Sequence, residues 1–504
     1  MTVVRCVIRI GTAAFLAGLA LAAPHAVAVA AADTGDTDPA STATRASTAA
    51  RAANHSPHTA SRVARQAGPT RTSARTAPRT PRPQVAAASV HTIAPALQQF
   101  LTGTADWLAT QPPNPFTDVV AGAVYLVRRS LFPASVGVVT APIVVPLQLT
   151  DVNETTTKKL GIYATLGSGS TTPEIFEFDT GGSGFNVAYA SDPTSASPWW
   201  GDGVVTTARP VSVTYDSGNV YQGYVATAQV SLYAPGGVTP LITTARAVVG
   251  QMDLIEKKNP VTGDITLLWG PSGQAQAYPP VDKAFYGDFG LAPSYTTSGI
   301  TNLLAQLVYT NGVLPGYRLR TDTRGSWLQI GLTAADLSEP TAMFFPMIID
   351  PKAPGYAVNP YSGLRYYGEQ LFNATVTISK SDTVVVDTAD VGITPDTGAQ
   401  PTLHNTNRSP LPYPTQYAGI IDPEGNALQN GLRFVVTATT TDGARGTVYD
   451  FKTTDIGVDV QNQRSTNSDP AYYFNTGLDL FYLNDVIYYF GDRSGGGEFG
   501  LVPR

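Results

Sequence analysis

The spacing of apolar side chains changes character several times along the chain. An apolar run from Ile10 to Ala23 follows Arg5 and Arg9 and gives way to small residues from Ala26 to Ala32. That order reads as an export signal over residues 1–32, because Pro24 and His25 cut the run short of the ~20 clean apolar residues of a membrane span. Residues 33–86 are Ala, Thr, Ser, Pro and Arg with almost no large apolar side chain. Such a segment cannot bury enough surface to offset its chain entropy, so it is expected to be a disordered linker. Within 87–135 the pattern turns helical. Leu97, Phe100, Leu101, Trp107 and Leu108 recur at roughly helical spacing, Pro112, Pro113 and Pro115 interrupt it, and Phe116 to Phe132 forms a second apolar helix. This pair reads as helices packed on the next domain, with a membrane-surface hairpin or a propeptide as the alternatives. From about Val138 the texture becomes Thr, Val, Tyr and Gly in short alternating runs between turn residues, as in Val211 to Tyr215, Tyr224 to Leu232, Tyr317 to Ile330 and Phe434 to Thr440. β-Branched content and spacing predict a mostly β body. One helix is expected at Gly299 to Tyr309, with Leu303, Leu304, Leu307 and Val308 as its core stripe.

Charge sharpens this division. The whole chain carries a net −6, yet residues 1–86 hold ten Arg and three Asp, so the body is the acidic part. An acidic body, with a basic tail that lacks aromatic residues after position 32, argues against nucleic acid as a partner. The eight Arg of the linker suit weak attraction to an anionic envelope surface or simple solvation. The single cysteine, Cys6, lies in the export signal, and of five histidines only His404 falls in the body, where it reads as a loop residue. Multi-His or multi-Cys metal sites and most His-dependent triads are therefore poorly supplied. The chemistry left to the body is that of carboxylates, hydroxyls and backbone.

The tripeptide Asp-Thr-Gly occurs three times. Asp33-Thr34-Gly35 sits in the low-complexity segment and reads as chance. Asp179-Thr180-Gly181 follows the apolar strand Ile175 to Phe178, and Asp396-Thr397-Gly398 follows Val384 to Val386 and Ile393. Two copies at strand ends in one β-rich body point to a pair of carboxylates with a shared task. Turn capping is the plainer reading of each Asp alone.

With its surrounding segments in order, the body resembles the pepsin-like bilobal aspartic proteases, and most closely the mycobacterial aspartic proteases that process PE-domain proteins. The resemblance covers roughly residues 140–504. Phe178-Asp179-Thr180-Gly181 is similar to the catalytic loop of the first lobe, and Val213-Thr214-Tyr215-Asp216-Ser217-Gly218 resembles the flap. Gly287 to Ala292 looks like the loop through which a strand threads, and Asn475-Thr476-Gly477 and Phe499 to Pro503 resemble the family's end. This implies an all-β bilobal fold, with lobes at 138–350 and 351–504, and a secreted or envelope-located monomeric endopeptidase. Asp179 and Asp396 are then the catalytic pair, supported by Thr180, Gly181, Thr397 and Gly398. Tyr215, Ser217 and Gly218 cover a polypeptide bound as an extended strand, PE-domain proteins among the candidates. Two close carboxylates hold one proton between them, so the pair serves as acid and base together and needs no cofactor and no metal. Trp199 or Trp200 is a candidate support for Tyr215, with surface packing the simpler reading.

Three residues depart from the family pattern. Gly182 and Ala399 stand where a hydroxyl residue usually follows each Asp-Thr-Gly, and Pro395 removes a backbone donor just before the second Asp. Losing donors to the charged form raises the pair's pKa values, so activity is expected to reach closer to neutral pH than in digestive relatives. The same departures support an alternative, a catalytically silent envelope protein that binds peptide or polymer in its cleft.

Overall fold

The computed structural model describes residues 136–504, apart from 154–156, 170–171, 191–198, 216, 260–261, 272, 274, 276, 355–356, 406–416, 418, 424–426, 463–471 and 493–495. The export signal, linker and helical pair expected before residue 136 lie outside the described residues, as does Asp216. No helix among the described residues is long and apolar enough to cross a membrane.

The body is mostly β. Its strands form one 16-stranded sheet, one 7-stranded sheet and a two-stranded pair. Strands Phe372–Lys380 and Arg433–Thr439 alternate between buried and outward positions, as expected of sheets with one solvated face. Glu174–Asp179 and Gly287–Leu291 are buried almost without a break, because they lie in the middle of the large sheet. Their apolar face carries an aromatic cluster in which Phe185 packs edge-on against Phe176 and Phe289, with centroids 5.0 and 4.8 Å apart. The last two strands, Asn484–Tyr489 and Glu498–Pro503, pair with Leu314–Arg320 and Met343–Pro346 and so belong to the large sheet. Their neighbourhood is held by Asp485, fully buried and bonded by Arg318 at 2.8 Å and by Nε and Nη2 of Arg320, each at 2.7 Å.

One topological unit occurs twice. Glu174–Asp179 runs parallel beside Gly287–Leu291, which pairs antiparallel with Ser183–Ala188, which in turn runs parallel to Ala247–Lys258. In the small sheet Thr383–Thr394 runs parallel beside Tyr472–Asn475, which pairs antiparallel with Thr402–Asn405, itself parallel to Asp459–Asn462. In both copies an Asp-Thr-Gly turn joins the first strand to the one two places away, leaving a slot that a later strand fills.

Three expectations need correction. The helix expected at Gly299 to Tyr309 is a single 3-10 turn at Leu304–Gln306, followed by Val308–Tyr309 paired with Val138–Val139. Leu303, Leu304 and Leu307 are buried as expected. The backbone, however, is claimed by tertiary bonds: Asn302 accepts from the Leu304 amide, and the Gln306 side chain bonds both the amide and the carbonyl of Val248. Trp199 is not a surface residue. It is buried against Tyr286, and both Trp199 and Trp200 donate their indole N–H to the Ala188 carbonyl rather than supporting Tyr215. His404 lies in a strand, 4% exposed, with its ring stacked on Tyr473 at 4.1 Å.

Candidate active site

The two Asp-Thr-Gly turns that follow strands meet. Each threonine hydroxyl reaches across to the other turn: the Thr180 amide donates to Thr397 Oγ1 at 3.1 Å and the Thr397 amide donates to Thr180 Oγ1 at 3.0 Å. Thr180 Oγ1 donates onward to the Pro395 carbonyl at 2.9 Å, and Thr397 Oγ1 to the Phe178 carbonyl at 2.6 Å. These four bonds are buried and reciprocal, so they fix the two turns against each other. Pro395 causes no gap here. Its carbonyl accepts from Thr180 and also from the Tyr488 hydroxyl at 3.2 Å, at the point where its strand ends.

The glycines bring the carboxylates face to face. A Cβ on Gly181 would lie 2.5 Å from Asp396 Oδ2, and a Cβ on Gly398 would lie 2.8 Å from Asp179 Oδ1. Only glycine leaves room for each carboxylate to lie over the opposite turn. The Gly181 amide donates to Asp179 Oδ1 and the Gly398 amide to Asp396 Oδ1, both at 2.7 Å. Asn475 adds a bond from Nδ2 to Asp396 Oδ2 at 2.6 Å, and its own Oδ1 accepts from the Gly477 amide. Asp179 and Asp396 are each 8% exposed. Burial, with the charges of Asp396, Asp288 and Glu177 behind it, holds the Asp179 carboxyl well above the usual carboxylate range.

Asp288 was not legible as part of this site. It pairs across the strands with Glu177 on one side and Asn186 on the other, so these three side chains share one sheet face, opposite Phe178, Phe289 and Phe185. On that face Tyr215 lies over Asp288. Its hydroxyl donates to Asp288 Oδ2 at 2.6 Å and accepts from Asn186 Nδ2 at 2.9 Å. Burial and Glu177 push the Asp288 carboxyl well above its ordinary range, against the opposing pull of the Tyr215 bond. Lys159 completes the row, bonded to Glu177 at 2.6 Å and Asp282 at 3.0 Å.

The same carboxyl explains Gly182. A Cβ there would lie 2.7 Å from Asp179 Oδ2 and 2.8 Å from Asp288 Oδ2. Asp288 fills the space beside Asp179, and a larger residue at 182 would collide with both.

Tyr215, Ser217 and Gly218 form the turn of a hairpin built from Val205–Thr214 and Asn219–Ala228. Gly218 has a φ of 85° and passes so close to Lys258 that a Cβ would strike its carbonyl. Tyr215 and Ser217 line a cleft of about 410 Å³ together with Asp179, Asp396, Gly398, Ala399, His404 and Asn475. No group of three or more His, Cys, Asp and Glu among the described residues could hold a metal ion. No protein-family model matches the sequence, and no curated protein matches it.

Proposed function

We propose that the chain is an exported aspartic endopeptidase with a pepsin-like bilobal fold, acting on polypeptides bound as extended strands. The observation that carries this reading is the reciprocal pair of Asp-Thr-Gly turns, each threonine bonded into the other turn and each carboxylate lying over the other glycine. A turn that merely caps a strand has no need of a second copy 217 residues away. The twofold repeat of the strand unit supports the bilobal part of the reading.

The chemistry follows from the electrostatics. Two buried carboxyls that face each other cannot both ionise readily, so the pair retains one proton. The ionised member takes a proton from a water placed between the pair and the peptide, and that water attacks the scissile carbonyl carbon. The protonated member hydrogen-bonds the carbonyl oxygen and stabilises the charge that develops there. The proton gained from water then passes to the leaving amine. Tyr215 and the hairpin it sits on would cover the bound strand, whose backbone bonds give affinity and whose alternate side chains meet pockets.

The test is digestion of a mixed peptide library from about pH 3 to 7, with and without pepstatin, beside Asp179→Asn. Loss of the general acid–base pair costs on the order of 10²–10⁴-fold or more in rate. Cuts that vanish with both the inhibitor and the substitution support the reading. A folded protein that cuts nothing across that range refutes it and favours a peptide- or polymer-binding envelope protein.

A further inference from the structure

The charge balance of the cleft is one-sided. Among the described residues Glu177, Asp179, Asp288, Glu369, Asp396 and Asp459 line it, against one lysine, Lys159. That lysine is already engaged by Glu177 and Asp282. Resting on the protease reading, we propose that Asp288 is a specificity-determining residue that accepts the ammonium or guanidinium of a substrate Lys or Arg side chain lodged beneath Tyr215.

Asp288 is 2% exposed, and only Oδ2 has a donor, the Tyr215 hydroxyl. Its Oδ1 is buried without a hydrogen-bond partner. Asn219 Oδ1, on the hairpin above and lining the same cleft, is likewise buried without one. Asn219 Oδ1 is an acceptor, and so is Asp288 Oδ1 once the carboxyl is ionised, so a cationic donor suits both and favours that ionised form. A cationic head on a long apolar stem brings several donors to one point and lays its methylenes along Tyr215 and Val213, which also line the cleft. An apolar side chain entering the same space would leave both oxygens unpaired in a dry site, which is costly. Burial favours the neutral Asp288 carboxyl in the empty cleft, and an ammonium beside it favours the ionised one. Because Asp288 is almost fully buried and its Oδ2 is held by the Tyr215 hydroxyl, an entering side chain reaches Oδ1 only as Tyr215 gives way, which couples the choice of side chain to the position of the hairpin turn.

The experiment walks Lys through each position flanking the cut in a cleaved peptide, beside norleucine and Nε-acetyl-lysine at the same positions. One position is expected to favour Lys over both neutral analogues by about tenfold in kcat/KM, the scale of a hydrogen bond to a charged group. Asp288→Asn is expected to bring that ratio close to one, whatever it does to the absolute rates. The acetyl-lysine comparison is made on the unmodified protein, so it does not depend on the variant folding. Cleavage without a Lys preference at any position, or a preference that survives Asp288→Asn, overturns the assignment and leaves the protease reading standing. Failure to cut any peptide overturns both.

Discussion

Replacing Thr397 by Val tests whether the two turns are truly locked together. Valine keeps the shape and removes Oγ1, which makes two buried bonds: it donates to the Phe178 carbonyl at 2.6 Å and accepts from the Thr180 amide at 3.1 Å. A buried polar group left unpaired costs ~1–3 kcal/mol, so two cost ~2–6 kcal/mol. The methyl that replaces the hydroxyl returns about 0.8 kcal/mol of apolar burial. The lost bonds win, and a net destabilisation of roughly 1–5 kcal/mol is expected. Thr180→Val removes the acceptor of the Thr397 amide and the donor to the Pro395 carbonyl. That carbonyl keeps the Tyr488 hydroxyl, so this variant should cost less. The double variant should cost less than the sum, since both hydroxyls belong to one network. Urea unfolding with the slope held constant measures all three. A Thr397→Val protein within ~0.5 kcal/mol of the unmodified one, or a more damaging Thr180→Val, would refute the reasoning.

Two further predictions rest on the third carboxyl. Asp288 has a folded-state pKa above its unfolded one, so the folded protein binds more protons and stability falls as pH rises through that range. Asp288→Asn keeps an acceptor for Tyr215 and removes the ionisable group. Its stability relative to the unmodified protein should therefore improve from acid toward neutral pH, and urea midpoints that run parallel across pH would contradict this. Gly182→Ser places a Cβ against the oxygens of Asp179 and Asp288 and should cost about 1–3 kcal/mol by overpacking. Adding Asp288→Ala should recover part of that loss, and a Gly182→Ser midpoint equal to that of the unmodified protein would show that the space is not filled as described.

Local chemistry was more legible in the sequence than contacts between distant strands. The β texture from Val138 onward shows in the strands, because alternation and β-branched content are local properties. The helix expected at Gly299 to Tyr309 fails because its leucine stripe satisfies a helix and a buried turn equally well. Its fate is set by Asn302 and Gln306, whose partners lie as far away as Val248. His404 and Trp199 are misjudged for a related reason: a lone polar or aromatic side chain carries no sign of which neighbour will bury it.

The same distinction separates the two kinds of site residue. Asp179 and Asp396 announce themselves because the turn that carries each is a contiguous motif. Asp288 does not, since what makes it notable is its cross-strand pairing with Glu177 and Asn186 and the hydroxyl of Tyr215 laid over it. In sequence Gly182 looks like a deletion, a donor lost beside the carboxylate of Asp179. In the folded chain it accompanies an addition, because the space a side chain at 182 would need is held by a carboxyl from a strand more than a hundred residues later. The two positions are therefore one feature. A change at 182 that ignores 288 meets a filled site, and the carboxyl bonded by Tyr215 comes from Asp288, outside either Asp-Thr-Gly motif.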